Sequence, residues 1–234
     1  SAGEQKLLTE TEPLDSDGAY TVDWNLEYMV HERDSFNLVD RSGVSGGGRE
    51  FYGETLHANK PKLTITFPKE NVLKDKTMAC FVDVAATSSQ ATRIHIDMAG
   101  AKATASIVPI SVSDFYTKAE RDSVFLSGNA VSTGSQQVTL TFENTVSGST
   151  GFLNYVELNV PTALRMRDNE LTISNVSHLN SNNNTKFLLS NATTSTQIWR
   201  VTDGVNIEKM STTWNNDTLI WVGSNAVAEQ YVAV

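Results

Sequence analysis

Arg93-Ile94-His95-Ile96-Asp97-Met98 decides the fold class of this chain, because apolar and polar residues alternate along it. The same alternation runs through Leu63-Thr64-Ile65-Thr66-Phe67 and through Val138-Thr139-Leu140-Thr141-Phe142-Glu143. A period of two is typical of antiparallel strands that bury one face. The stretch Met78–Ala86 is more continuously apolar, which predicts a central strand covered on both sides.

Short polar segments separate these runs and predict turns, since they are rich in Ser, Thr, Asn and Gly: residues 86–90, 132–135 and 146–150. Asp114–Arg121 has the only helix-like pattern, and it is too short to support a parallel βαβ unit. Many short strands with regular turns predict an all-β chain, with an antiparallel β-sandwich or jelly-roll-like domain followed by a small β-module.

The composition changes near Leu164–Asp168, where long apolar strands give way to Asn-rich sequence. Four short apolar runs follow and predict the strands of the small module: Leu171–Ile173, Phe187–Leu189, Gln197–Val201 and Leu219–Val222. We therefore predict a flexible lead-in over 1–22, the sandwich over 23–166 and the module over 167–234. Glu229–Val234 reads as a strand whose continuation is missing, so we expect the module to pack against a further domain.

Length and charge exclude several kinds of partner. A chain of 234 residues can form one large or two modest domains with real cores. With 39% apolar residues and no bilayer-length apolar run, no direct membrane insertion is expected. A net charge of −9 argues against nucleic acid and anionic membrane surfaces, because both are bound by clustered Lys and Arg.

The residues that carry most cofactor and metal chemistry are scattered. Cys80 is the single cysteine, which excludes an intrachain disulfide, and its apolar strand predicts a buried, unreactive thiol. No two histidines have metal-site spacing, and His95 is expected to face solvent: His31, His57, His95 and His178. Asp15-Ser16-Asp17-Gly18 starts like a calcium loop but lacks the later Glu. We expect no catalytic residue, no cofactor and no metal in this segment.

Three motifs stand apart from the strand pattern: Gly48–Glu54 (GREFYGE), Gly151–Asn159 (GFLNYVELN) and Trp199–Asp203 (WRVTD). Their order and spacing resemble the region ahead of the protease domain in gingipain-like cysteine peptidases, the sortases of type IX secretion. The resemblance covers the chain from about Leu26 onward. It implies a non-catalytic N-terminal region of a cysteine endopeptidase whose caspase-like catalytic domain lies downstream.

The same resemblance implies partners and a location. In that family the whole protein removes C-terminal sorting domains from secreted cargo and helps to attach the cargo to surface lipopolysaccharide. The partners it implies are the downstream catalytic domain, type IX secretion components and cargo proteins. The location it implies is the cell envelope of a Gram-negative, Bacteroidetes-type bacterium, in the periplasm or at the outer-membrane surface.

Within these motifs we expect a structural joint rather than a ligand site. Gly46–Gly48 permit a sharp turn, and aromatic side chains after it can pin the next segment to the sandwich. An arginine next to two glutamates can form ion pairs within the module or with a missing domain. The candidate domain-joint or interface residues are Arg49, Glu50, Tyr52, Glu54, Trp199 and Asp203.

A carbohydrate-binding or adhesin-like β-sandwich of a bacterial surface protein stays open as the alternative. Aromatic rings stack on sugars when several share an exposed sheet face, and six candidates are present: Trp24, Tyr28, Tyr52, Trp199, Trp214 and Trp221. We expect most of these rings to fill the core or the module interface, because large aromatics dominate buried area. The alternative predicts an exposed aromatic strip and measurable glycan affinity.

Overall fold

A computed structural model describes residues 10–41, 49–111, 117–143, 146–174, 176–202 and 207–234. The described residues form an all-β structure, as predicted, and the one helical element among them is a single turn. In chain order the elements are β1 (Tyr20–Val22), β2 (Trp24–Glu32), β3 (Phe36–Asn37), α1 (Leu38–Arg41), β4 (Phe51–Tyr52), β5 (Glu54–Leu56), β6 (Lys62–Phe67), β7 (Thr77–Thr87), β8 (Thr92–Met98), β9 (Ala101–Ile107), β10 (Glu120–Asn129), β11 (Gln136–Glu143), β12 (Thr150–Ala163), β13 (Leu171–Ser174), β14 (Thr185–Ser190), β15 (Ile198–Arg200), β16 (Glu208–Lys209), β17 (Thr213–Asn215), β18 (Thr218–Gly223) and β19 (Gln230–Ala233).

The chain forms two compact units. The large unit is Tyr28–Val160, and the composite unit combines the described residues up to Glu27 with Pro161–Val234. The predicted boundaries at 22/23 and 166/167 therefore differ from the division that the structure makes. One reason is that residues just outside Tyr28–Val160 bond to each other: the Leu164 amide donates to the Asp23 carbonyl at 2.8 Å. Within the described ranges, no helix has the length and apolar character needed to cross a bilayer.

The large unit contains two sheets and a small ribbon. One sheet has the order β10-β7-β12-β2, with β5 also paired to β12, and the second has the order β6-β11-β8-β9. The ribbon is formed by β3 and β4. The three strands predicted from strict alternation, β6, β8 and β11, lie side by side in the second sheet, which confirms that prediction.

The core of the large unit draws on both sheets. Alternate residues of β7 are buried, and they share one apolar cluster with alternate residues of β8 and β11: Met78, Cys80, Val82, Val84, Ala86, Ile94, Ile96, Met98, Val138, Leu140 and Phe142. Successive side chains of a strand point to opposite faces, so each strand supplies every second residue. Each fully buried aliphatic or Phe side chain contributes roughly 1.5–3 kcal/mol, which makes this cluster the main source of the unit's stability.

Strand β7 is central, as predicted, but it is covered on both faces along only part of its length. Asp83–Ala86 are all buried, whereas Ala79 and Phe81 are half-buried on the face away from the core. We call this face of the sheet β10-β7-β12-β2 the outer face. The outer face is buried near Asp83–Ala86 and more exposed near Ala79 and Phe81, and the candidate site described below lies along this face.

The composite unit also has two sheets, in the orders β1-β14-β18-β17 and β13-β19-β15-β16. Its core contains three packed aromatic rings, with Phe187 stacked on Trp221 at 5.0 Å between ring centroids and Tyr231 5.4 Å from Phe187. Strand β19 lies between β13 and β15, so both neighbours of the predicted terminal strand belong to the chain itself.

The end of the predicted flexible lead-in is ordered instead. Residues Tyr20–Val22 form β1, which pairs with β14 in parallel, and Val22 is 1% exposed in the core. Three residues are too short for a periodicity to stand out in the sequence, and the pairing joins positions about 165 residues apart. The burial of one valine and the ladder with β14 hold this segment in the unit.

Candidate functional site

The ribbon of β3 and β4 covers one end of the outer face. Tyr52 is 5% exposed, and its ring centroid lies 5.6 Å from that of Phe152 and 6.3 Å from that of Phe36. These rings pack on Ala85 of β7. Tyr52 therefore pins the ribbon to the sheet, as expected for an aromatic of this motif, whereas Phe51 points outward and is 41% exposed.

A charged network lies beside this ribbon. Arg121 Nε donates to both carboxylate oxygens of Asp83, at 2.8 and 2.9 Å, and Asn154 Nδ2 donates to the same carboxylate at 3.0 Å. The Nη1 atom of Arg121 lies 3.2 Å from Glu50 Oε1. Asn154 occupies a β-bulge, where the register of β12 against β7 shifts between Leu153 and Tyr155. The bulge turns the Asn154 side chain toward Asp83, so that the buried carboxylate gains a further hydrogen-bond donor.

The other predicted glutamate sits in a separate contact. Glu54 Oε1 lies 2.9 Å from His31 Nε2 and 3.6 Å from Arg33 Nε. The second oxygen of Glu54 is buried and has no hydrogen-bond partner among the residues that the structure describes. Gly53 fits this corner because a Cβ there would lie 2.5 Å from the Cβ of Arg33.

Ion pairs around Arg49, Glu50 and Glu54 were expected either within the module or with a further domain, and those of the two glutamates lie within the large unit. Both carboxylates pair with other cations of the large unit, and Arg49 is exposed at the start of the ribbon. Trp199 lies in the composite unit, half-buried on β15. Asp203 lies outside the described residues.

Next to Trp199, Arg200 forms the charged centre of the composite unit. Its Nη1 donates to Glu229 Oε1 at 2.7 Å, and its Nη2 donates to Glu208. The hydroxyl of Tyr231 donates to the second oxygen of Glu229. Burial and the bond to Glu229 raise the pKa of Tyr231 far above its usual range. This cluster ties β15, β16 and β19 together, so its role is structural.

Beyond the ribbon, the outer face of the large unit carries a group of aromatic side chains that we call the aromatic band: Phe81, Phe125, Tyr155 and Tyr28. Phe125 of β10 lies directly opposite Phe81 of β7 and is 65% exposed. The rings of Phe81 and Tyr155 stack with centroids 6.0 Å apart. Tyr28 of β2 is 59% exposed, and its hydroxyl donates to Glu157 at 2.8 Å.

Sequence reasoning named Tyr28 but missed the other members of the band. Phe125 alternates with Val124 and Leu126, and Phe81 alternates with two residues of the core. The available signal was an aromatic residue at the outward position of two strands. The pKa of Tyr28 is raised by its hydrogen bond to Glu157, and burial with the nearby carboxylates raises that of Tyr155.

The cysteine and histidines lie apart from one another. Cys80 is 1% exposed on the inner face of β7, and burial raises the pKa of its thiol to about 12. A thiol in this environment is a poor nucleophile. His95 is exposed beside Glu143, as predicted, and His178 stacks on Tyr20 at 3.9 Å. Among the described residues, no three His, Cys, Asp or Glu side chains come together in a group that could hold a metal ion.

Each unit is thus β-sandwich-like, with two sheets. Among the described residues there is no layer of helices, so the fold class is all-β. PorU from Porphyromonas gingivalis, in the crystal structure of its dimeric latent form, shares this fold with a TM-score of 0.80 and 16% sequence identity. The match covers 97% of this chain and 22% of that one, so the chain spans about a fifth of the length of the PorU it matches. The chain therefore has a PorU-like fold.

Other structural likenesses are partial. The carbohydrate-binding module CBM36, in complex with calcium and xylotriose, matches 48% of this chain and 90% of its own, at 15% identity and a TM-score of 0.33. A CBM36-1 domain of a xylanase from the hindgut metagenome of Trinervitermes trinervoides matches 56% of this chain and 96% of its own, at 11% identity and the same TM-score. Scores this low do not indicate a common fold. No protein-family model matches the chain, and no curated protein matches it.

Proposed function

We propose that this chain is the non-catalytic N-terminal β-region of a gingipain-family cysteine peptidase that acts as a type IX secretion sortase. The observation that carries the proposal is the fold shared with PorU over 97% of the chain at a TM-score of 0.80. The three motifs around Gly48–Glu54, Gly151–Asn159 and Trp199–Asp203 support it from the sequence side. The buried thiol of Cys80 is consistent with a region that supports catalysis elsewhere.

In this proposal the region holds the caspase-like catalytic domain or docks cargo and secretion partners. The ribbon of β3 and β4 is its best-placed joint. Glu50, Tyr52 and Glu54 satisfy contacts inside the large unit and fix the ribbon in place. Arg49 and Phe51 are exposed on the same ribbon, so they are the side chains that a neighbouring domain would contact.

The same proposal places the protein in the cell envelope of a Gram-negative, Bacteroidetes-type bacterium, at the outer-membrane surface or in the periplasm. Fractionation of the source cells followed by detection with an antibody against this chain tests the location. Recovery in the envelope fraction supports it, and recovery in the cytosolic fraction overturns it.

The natural reading frame around these 234 residues provides the first test of the parent protein. A caspase-like domain with a glycine-flanked His and a later Cys, each at a strand end, is the expected result. A reading frame that continues with further β-sandwich domains only, or that ends without a caspase-like domain, overturns the sortase proposal.

A binding experiment tests the joint. The purified catalytic region should associate with this chain, and Arg49→Ala with Phe51→Ala should weaken the association. Arg93→Ala with Val131→Ala removes one exposed arginine and one exposed apolar side chain elsewhere on the large unit and serves as the control. Equal loss in both double variants, or no association of the unchanged chain, contradicts the proposed joint.

A further inference from the structure

The aromatic band runs across the strands rather than along them. Phe125 lies opposite Phe81, and Phe81 lies opposite Glu157 on its other side, so these residues form one row on β10, β7 and β12. Tyr28 extends the row onto β2 through its hydrogen bond to Glu157. Four strands at the usual spacing span about 14 Å, which makes the band long enough for an extended ligand.

Several of the side chains beside the band are small. Ser123 and Ser127 flank Phe125 on the outer face of β10, and Ala79 lies opposite Ser127 on β7. Asn159 lies opposite Ala79 on β12. The rings at the two ends of the row, Phe125 and Tyr28, are exposed, and those of Phe81 and Tyr155 are half-buried. On the other side the surface is bounded by the ribbon, where Tyr52 packs over Ala85.

One hydrogen-bonding group lies within the row of rings, and two others lie beside it. The Glu157 carboxylate lies within the row and already accepts a hydrogen bond from the Tyr28 hydroxyl. A carboxylate has further lone pairs, so it can accept bonds from a ligand as well. Asn159 supplies an amide on the next row of the face, and the guanidinium of Arg121 lies on the side of the ribbon. The band therefore combines apolar rings with both acceptors and donors.

We propose that the aromatic band binds a neutral oligosaccharide. A pyranose has an apolar face of C–H groups and a rim of hydroxyls, and the negative face of an aromatic ring attracts such C–H groups. The hydroxyls then donate to Glu157 and accept from Asn159. An extended glycan lies across the four strands with successive sugars over Phe125, Phe81 with Tyr155, and Tyr28.

Charge selects a neutral ligand over an anionic one. The carboxylate of Glu157 sits in the centre of the band, and the chain as a whole has a net charge of −9. A polyanion such as a uronic acid polymer or a nucleic acid would meet like charge at the point of contact. A protein partner is less well matched, because Glu157 interrupts the row of rings and Ser123, Ser127 and Asn159 lie beside it, so the apolar surface is not continuous. The proposal goes beyond the function proposed above and does not depend on it.

Isothermal titration calorimetry of the 234-residue chain tests the proposal. The probes are cellohexaose, xylohexaose, mannohexaose and chitohexaose at millimolar concentration, with an oligogalacturonate as the charged comparison. At least one neutral hexaose should bind, and Tyr28→Ala with Phe125→Ala should weaken its binding at least tenfold, which is about 1.4 kcal/mol. Trp214→Ala removes a comparably exposed aromatic side chain in the composite unit and should leave binding unchanged.

Amide chemical-shift mapping on the unchanged chain gives a second readout that needs no variant. The bound hexaose should shift resonances from the outward positions of β7, β10 and β12. The proposal is overturned if no neutral hexaose binds, if the double variant binds as well as the unchanged chain, or if only the oligogalacturonate binds. It is also overturned if the chain self-associates and the double variant is monomeric, since the band is then a contact between copies.

Discussion

Arg121 holds Asp83 through a single nitrogen, with Nε 2.8 Å from one carboxylate oxygen and 2.9 Å from the other. The carboxylate is buried, whereas the guanidinium is partly exposed and reaches on to Glu50. The pair joins β10 to β7 at the point where the ribbon ends. Because one partner is buried, this ion pair is expected to contribute more to stability than an ion pair between two exposed side chains.

Substitution of this arginine should destabilise the large unit. Arg121→Ala leaves the carboxylate of Asp83 buried with one remaining donor, Asn154, and should cost about 2 kcal/mol. Urea unfolding followed by far-UV circular dichroism measures the change. Arg93→Ala is the matched control, because its pair with Glu143 is exposed on both sides and should contribute about 0.5 kcal/mol or less. Equal costs for the two arginines would contradict the role assigned to Asp83.

Gly53 should tolerate no side chain. A Cβ at this position would lie 2.5 Å from the Cβ and 2.7 Å from the carbonyl oxygen of Arg33, so Gly53→Ala forces the backbone at Gly53 away from Arg33, the residue after β2. We expect a loss of roughly 1–3 kcal/mol in the free energy of unfolding. At Gly134 the nearest atom to a new Cβ is 3.6 Å away, so Gly134→Ala should change stability by about 0.5 kcal/mol or less. A stable Gly53→Ala protein would show that this corner is loosely packed.

Alkaline pH should lower the stability of the folded protein, because Cys80 is buried. Burial raises the pKa of its thiol from 9.0 to about 12 in the folded state. Between these values the unfolded chain loses the thiol proton and the folded chain keeps it, so the folded state binds more protons and stability falls as pH rises. The loss approaches about 1.4 kcal/mol for each pH unit.

The variant Cys80→Ala isolates this effect, because buried tyrosines destabilise both proteins alike at high pH. Denaturant unfolding below pH 9.0 and between pH 9.0 and 12 should give a steeper decline for the unchanged protein than for the variant. Parallel declines would mean that the thiol ionises as readily in the folded chain as in the unfolded one. The thiol should also resist alkylation until the large unit unfolds.

The strand near the start of the chain should contribute to the stability of the composite unit. Val22→Ala removes two methyl groups from a side chain that is 1% exposed and should cost about 1–3 kcal/mol. Val131→Ala makes the same chemical change at a position that is 68% exposed and should have almost no effect.

Tryptophan fluorescence reports this result selectively, because all four tryptophans belong to the composite unit: Trp24, Trp199, Trp214 and Trp221. The midpoint of its unfolding curve should fall for Val22→Ala alone. A midpoint that stays the same would mean that Val22 adds little to the packing of β1 on β14.

Much of the fold could be predicted from the sequence because it depends on local patterns. Strands β6, β8 and β11 each bury one face, so strict alternation was enough to predict them. The burial of Cys80 followed from its apolar neighbours in the same way. In each case the decisive signal lies within about ten residues of the chain.

The site was less predictable because it depends on register. Asp83 and Arg121 are 38 residues apart, and only the pairing of β7 with β10 brings them together. The aromatic band depends on the same pairing, since Phe81 and Phe125 look like ordinary outward residues until the strands align. Glu50 and Glu54 were singled out as joint candidates by their position in a motif, and their cationic partners Arg121 and His31 lie on other strands, which the motif alone does not indicate.

The large unit is inserted between the two segments of the composite unit, and this arrangement sets an order of events during synthesis. The large unit is complete in sequence once residue 160 has left the ribosome, whereas β1 must wait for β14. Domains generally fold as units as they emerge, so the inserted unit can fold first, before β1 has its partner strand. The β1–β14 ladder then closes a loop of about 165 residues, whose entropic cost is reduced because most of that loop is already compact.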